Sequence, residues 1–192
     1  MMVLSIGRAN GVEELTGYDI AAKALSIVAE KMKVKYRIIV VNKGDFETIN
    51  ARLGHYNSHN LKITLLPDGT QKTICKEMMK AHLVLMPSRA ESFELVGLEA
   101  IAAGVPVLVS SKSGLAGFIH DHVDELHNSV VDMDGSNERA AIKRLADTIG
   151  RMMKNNRTEF RTAARGKEQL LSKKYWEESH QQFIKACIDE GI

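Results

Sequence analysis

Glu91 and Glu99 stand eight positions apart in the stretch Pro87-Ser88-Arg89-Ala90-Glu91-Ser92-Phe93-Glu94-Leu95-Val96-Gly97-Leu98-Glu99-Ala100, where an apolar run, a proline, a polar turn and a helical pattern follow one another. Such a junction leaves the backbone N–H groups of a first helical turn without partners, which makes a seat for phosphate. Carboxylates flanking that seat accept hydrogen bonds from vicinal hydroxyls, as a ligand with sugars on both sides of phosphate would offer. Spacing alone leaves a plainer reading open, in which Glu91 and Glu94 favour the helix dipole and Glu99 is exposed. A second candidate is Arg8 in the turn Gly7-Arg8-Ala9-Asn10-Gly11. A guanidinium there can pair bidentately with phosphate, although a loop arginine is commonly a solvated surface group.

Other chemistry has less support. No G-x-S-x-G nucleophile elbow and no Walker GxxxxGK[ST] motif occurs. His120, His122 and His127 gather on an expected loop and read as surface groups before they read as metal ligands. Asp132-Met133-Asp134 resembles a metal-binding D-x-D but falls where the sheet is expected to give way to helices. Cys75 and Cys187 are far apart with no CxxC spacing, which fits a reducing compartment and argues against zinc. The basic stretch from Lys154 to Arg165 reads as a solvated helix face.

The elements that must position these side chains are legible as apolar runs alternating with helical patterns. The runs Val3–Ile6, Tyr36–Val41, Leu61–Leu65, Leu83–Met86, Val105–Val109 and Ser129–Val131 are nearly continuous, as strands buried on both faces should be. Helices are expected over Tyr18–Lys31, 45–53, 70–80, 93–103 and 114–120. Beyond residue 135 only helix is expected: one starting near Ser136, Asn137 and Glu138 with Ala141, Leu145, Ile149, Met152 and Met153 as its buried stripe, a second over 156–171, and a third over 175–189. In an open α/β sheet, ligands collect beyond the carboxyl ends of the strands, where both candidate loops lie.

The 192 residues give room for one ordinary domain and not for two full-sized lobes. With 26 basic and 24 acidic side chains the net charge is +2, too small to recruit nucleic acid or an anionic membrane by bulk electrostatics, so any anion site must be local. The apolar runs fall far short of the ~20 residues of a membrane span and no leader pattern opens the chain, so a cytoplasmic location is expected.

The stretch from Pro87 to Val109 resembles the donor-binding signature of the retaining glycosyltransferases of family 4, or group 1, whose pattern is P-S-x-x-E-x-F-G-L-x-x-x-E-A-x-A-x-G-x-P-V. The resemblance extends to Leu4-Ser5-Ile6-Gly7-Arg8, to Gly17-Tyr18-Asp19 with Ala24-Leu25, to Ser113-Gly114-Leu115 and to Tyr175-Trp176, and so covers most of the chain. It implies the C-terminal, nucleotide-sugar-binding lobe of a two-lobed GT-B enzyme: an α/β, Rossmann-like parallel sheet of about six strands, helices on both faces and a C-terminal helical tail. Residues 1–135 would form the donor-binding core, with 136–192 packing on the same domain.

The same resemblance implies the site. Glu91 would contact the hydroxyls of the transferred sugar and Glu99 the ribose. Arg8 would meet the diphosphate together with backbone N–H groups near Phe93, Glu94, Leu95 and Val96, and Glu91 and Arg8 would be the catalytic pair. The base would lie near Leu66-Pro67-Asp68. No cofactor or metal is expected, since a cation and a helix end take over the leaving diphosphate's charge. The partners implied are a UDP- or GDP-type sugar and an acceptor-binding lobe or other domains of a larger protein, with no nucleic acid and no membrane span.

The chain departs from the pattern at three places. Thr16 stands where the family has a lysine before its second glycine turn, and Lys23 lies too far into the helix to replace it. Gly117 replaces a glutamate. Glu94 stands at a glycine position, and a carboxylate 4 Å from a phosphate at an effective dielectric of about 20 costs on the order of 4 kcal/mol before relaxation. With no acceptor lobe, an isolated chain is expected to bind donor weakly and transfer little. The alternative is a catalytically inactive module for ligand sensing or protein interaction. Under either reading, terminal helices that reach across to an absent lobe, as the resemblance allows, would leave Trp176 and Phe183 partly exposed and able to pair two copies.

Overall fold

The computed structural model describes residues 1–7, 17–40, 46–67, 69–133, 137–172, 177 and 181. Arg8, Thr16, Asp68, Asp134, Trp176 and Phe183 lie outside the described residues, and with them the expectations placed on those side chains and on a helix over 175–189.

Six parallel strands form one sheet in the order β3-β2-β1-β4-β5-β6. They are β1 (Met2–Gly7), β2 (Val34–Val40), β3 (Leu61–Pro67), β4 (Leu83–Met86), β5 (Val107–Ser110) and β6 (Val130–Val131). Chain order reverses direction between β1 and β4, so the carboxyl ends of those two strands border the crevice where this kind of sheet takes its ligands. The helices between them are α1 (Tyr18–Ala29), α2 (Phe46–Gly54), α3 (Gln71–Lys80), α4 (Leu95–Ala103) and α5 (Gly114–His122). After a 3-10 helix over Asp124–Ser129 and the short β6 come α6 (Glu138–Lys154) and α7 (Asn156–Leu170).

The continuous apolar runs divide by strand alternation into two cores. Val3, Ile38, Leu83, Leu85 and Leu108 face one side, where they pack with Ala24, Leu25 and Val28 of α1, Ile49 and Leu53 of α2, and Leu145, Ile149 and Met153 of α6. Leu4, Ile6, Val84, Met86, Val107 and Val109 face the other, against Met78 of α3, Ile101 of α4, Ile119 of α5 and Leu170 of α7. The stripe Ala141, Leu145, Ile149, Met152 and Met153 is buried as its spacing predicts, and the Asn137 side chain caps α6 by accepting from the Ala140 N–H at 3.0 Å.

Several boundaries differ from expectation by a residue or two, and three of the differences bear on the candidate residues. The fifth strand starts at Val107, because Gly104 turns left-handed at the end of α4 and the Val105 N–H donates to the Ala100 carbonyl instead of joining the sheet. The fourth helix starts at Leu95 and not at residue 93, because Glu94 adopts a left-handed conformation ahead of it. The fifth helix runs on to His122, which puts His120 and His122 on helix and His127 in the 3-10 turn. His127 Nε2 lies 3.1 Å from the His120 carbonyl oxygen. Among the described residues no helix is long and apolar enough to cross a membrane.

Candidate functional site

The segment from Pro87 to Leu95 crosses the mouth of the crevice, and its course is set by close contacts with its two neighbours. On the α1 side, Gly17 sits at φ 69°, and a Cβ there would lie 2.1 Å from the Pro87 carbonyl oxygen. Only glycine allows both the left-handed turn and that approach. On the α5 side, Glu91 forms a parallel bridge with Ser113, the Gly114 N–H donates to the Glu91 carbonyl at 3.2 Å, and the Leu115 N–H donates to the Phe93 carbonyl at 2.7 Å. The Phe93 ring meets Phe118 of α5 edge to face at 6.0 Å.

An ion-pair network anchors the start of the segment. Arg89 binds Asp19 of α1 bidentately, at 2.9 and 2.8 Å. Arg89 and Lys23 also reach Glu138 at the start of α6, at 3.5 and 2.6 Å. Burial tends to raise the Asp19 pKa, but the Arg89 hydrogen bonds and charge, helped by Lys23, hold it below the usual carboxylate range. Lys23 is thus engaged by Asp19 and Glu138 rather than offered to the crevice. Arg89 and Asp19 were not among the expected site residues, since 70 positions separate them and neither stands in a recognisable spacing.

Of the expected site residues, Glu91, Phe93, Glu94, Leu95 and Val96 come together at the start of α4, with Glu99 one turn farther along the helix from Leu95. Glu91 and Glu99 are exposed, and the Glu91 carboxylate accepts from the Ser92 N–H at 3.0 Å. Leu95 is 66% exposed. Gly97 and Leu98 donate their N–H groups to the Glu94 carbonyl, while no side chain caps the helix. The first-turn N–H groups of Glu94, Leu95 and Val96 therefore have no intrahelical partner, and the helix starts just beyond the carboxyl end of β4.

Glu94 is the unusual member. Its φ of 91° makes it the single non-glycine residue with positive φ among those described. Its side chain is folded inward, with the residue only 8% exposed, and one carboxylate oxygen accepts from the Ser88 hydroxyl at 2.8 Å. Burial pushes its pKa up, the Ser88 hydrogen bond opposes this, and the nearby Glu91 charge adds to it. Across the crevice floor, Tyr18 is 4% exposed and its hydroxyl is the one buried side-chain polar atom without a hydrogen-bond partner among the described residues. That hydroxyl lies over Gly7 at the end of β1, 2.7 Å from where a Cβ would stand. Burial raises the phenol's pKa, and the Tyr36 and Glu94 charges raise it further. Beneath it, Tyr36 donates to Ser5 at 3.0 Å and Ser5 donates to the Leu85 carbonyl at 2.5 Å, which ties β1 to its neighbours.

Beside the crevice, a cavity of about 190 Å³ opens between α1 and α2, lined by Tyr18, Asp19, Lys23, Ile49, Arg52, Leu53 and Tyr56. Asp132 of the D-x-D stretch lies elsewhere, 3.4 Å from Arg144 and 3.5 Å from the Ser111 hydroxyl. Gly117 faces open space on α5.

Comparison with known proteins bears on the fold and the family. An uncharacterised glycosyltransferase of Methanocaldococcus jannaschii is 30% identical over 123 residues, 64% of this chain and 30% of that protein. The chain thus spans less than a third of its relative's length. Sucrose-phosphate synthase of Thermosynechococcus elongatus superposes with a TM-score of 0.73 at 18% identity, over 99% of this chain and 46% of that one. The Anabaena protein Alr3699/HepE, solved in complex with UDP and glucose, gives 0.70 at 16% identity over 96% of this chain and 48% of that one. At such identities the likeness is one of fold, the Rossmann-like architecture of a GT-B lobe. The description "Family 4 Glycosyltransferase in conflict systems" matches residues 1–183, and with nearly the whole length covered, the chain belongs to the family 4 glycosyltransferases of conflict systems.

Proposed function

We propose that this chain is the donor-binding half of a retaining glycosyltransferase, which takes a UDP- or GDP-type sugar into the crevice between the ends of β1 and β4 and passes its hexose to an acceptor. The observation that supports this reading is that the Glu91–Glu99 segment follows β4 at the reversal point of the sheet and that no side chain caps the start of α4. Glu91 orients the transferred sugar and Glu99 holds the ribose. Arg8 and the N–H groups near Phe93, Glu94, Leu95 and Val96 take the diphosphate, so that charge developing on the leaving group is met by donors already in place. No metal is needed in this scheme. The acceptor comes from a second lobe or another domain, because holding both substrates together supplies much of the rate of a two-substrate transfer. The isolated chain is therefore a weak binder with little transfer activity, and it works in the cytoplasm.

Calorimetric titration with UDP, GDP and their sugars, repeated on Glu99→Ala, tests this. One nucleotide should bind at sub-millimolar to millimolar concentration, and Glu99→Ala should weaken it about tenfold, the loss of a hydrogen bond to a charged group. A second reading, an inactive module for sensing or protein interaction, draws support from the buried carboxylate of Glu94 at the place a phosphate would take. Absence of heat with every nucleotide at millimolar concentration would leave that second reading standing.

A further inference from the structure

The seat at the start of α4 is already approached by an anion of the chain's own. Glu94 introduces α4, its carboxylate is turned inward onto the Ser88 hydroxyl at 2.8 Å, and its Cγ lies 3.5 Å from where a Cβ on Gly97 would stand, in the first turn of the same helix. The residue keeps φ at 91°, which L-residues avoid, so the surroundings over-determine this placement. A second observation concerns the end of β1, the neighbour of β4 in the sheet. The Tyr18 hydroxyl is buried and unpartnered among the described residues, over the end of β1 and near enough to Glu94 to feel its charge. A buried donor left unmatched is rare and calls for an acceptor. Among the described residues, the titratable groups that interact with Glu94 are the Tyr18 phenol from α1 and Glu91 from its own segment, neither of them a cation.

We infer that Glu94 is the specificity-determining residue of this seat: its carboxylate competes with a ligand's diphosphate for the start of α4, so that diphosphate enters only when Glu94 is protonated or swung aside. The inference rests on the proposed donor site and deepens it. Protonation removes the like charge while leaving Ser88 a hydroxyl or carbonyl oxygen to bond with. Burial, which raises the carboxyl's pKa, brings that protonation closer to neutral pH. Once admitted, a phosphate oxygen has the Tyr18 hydroxyl and the first-turn N–H groups as donors.

The test titrates UDP, and separately inorganic pyrophosphate, into the full chain, Glu94→Gln and Glu94→Gly, from about pH 8 down to about pH 4, just below the ordinary glutamate value. Glutamine keeps the size of the side chain and an oxygen for Ser88 but carries no charge. Both variants should bind UDP and pyrophosphate at least tenfold more tightly than the parent at pH 8, and the gap should close as the pH falls. The parent's Glu94 carboxyl resonance, followed by carbon NMR, should titrate at higher pH than that of an exposed glutamate, over the same interval in which the affinity gap closes, and should move when pyrophosphate is added. Equal UDP affinity of all three proteins across the range overturns this inference and leaves the donor reading in place. Tighter pyrophosphate binding by the variants without any nucleoside preference supports it while removing the ribose and base contacts. No binding of either ligand by any of the three overturns both.

Discussion

Glu94 combines two unfavourable features, a left-handed backbone and a buried carboxylate, and substitutions separate them. Because its folded-state pKa is raised, it contributes stability that is present below the unfolded carboxyl value of about 4.3 and lost as the pH rises through the folded value. Glu94→Gln should therefore melt higher than the parent at pH 7 and equal to it near pH 4. Glu94→Gly removes the left-handed penalty as well, about 1 kcal/mol, and should keep an advantage at pH 4 that the glutamine variant lacks. Thermal unfolding across that range reads both. A family glycine just ahead of a helix pattern is compatible with close approach and equally with positive φ, and the structure shows the positive φ at Glu94. Glu91, Phe93, Leu95, Val96 and Glu99 were legible as a group, because a continuous strand-turn-helix stretch keeps near neighbours together. Arg8, expected opposite them, lies outside the described residues.

At the scale of elements, the β4–α4 segment is held by α1 from one side and α5 from the other. Gly17→Ala asks a Cβ to stand 2.1 Å from a backbone oxygen at φ 69°, and should cost on the order of 3 kcal/mol, read as a lower urea midpoint. Arg89→Met loosens the same segment through its ion pairs, with side chains 29% and 38% exposed for Arg89 and Asp19, so solvent screening limits the loss to about 1 kcal/mol near neutral pH. The Asp19 pKa is lowered, so its contribution is present above the unfolded value and vanishes as the pH falls through the folded one. The Arg89→Met deficit should accordingly shrink in acid. The strands and most helices were legible in the sequence because burial on both faces leaves unbroken apolar runs. The Arg89–Asp19 contact was not, since only the folded sheet brings α1 beside the loop after β4. The start of β5 was misread because Val105 is as apolar as a strand residue while its N–H closes the preceding helix.

Across the whole molecule, α6 and α7 take opposite sides of the sheet. Leu145 of α6 is fully buried in the core shared with α1, and Leu145→Ala should lower stability by about 3 kcal/mol in chemical denaturation. α7 places Leu170 in the other core, and Gly166 comes so close to Leu126 of the 3-10 helix that a Cβ would lie 2.6 Å from it. Between them the chain rounds the amino-terminal rim of the strands, where the Asn156 amide donates to the His82 carbonyl at 3.1 Å. These two helices follow the last strand, yet each completes a layer begun by residues laid down far earlier. A nascent polypeptide emerging from the ribosome thus holds two incompletely covered oily surfaces until α6 and α7 are made, and a premature stop near residue 135 would leave a gap in each, an invitation to chaperones and proteases.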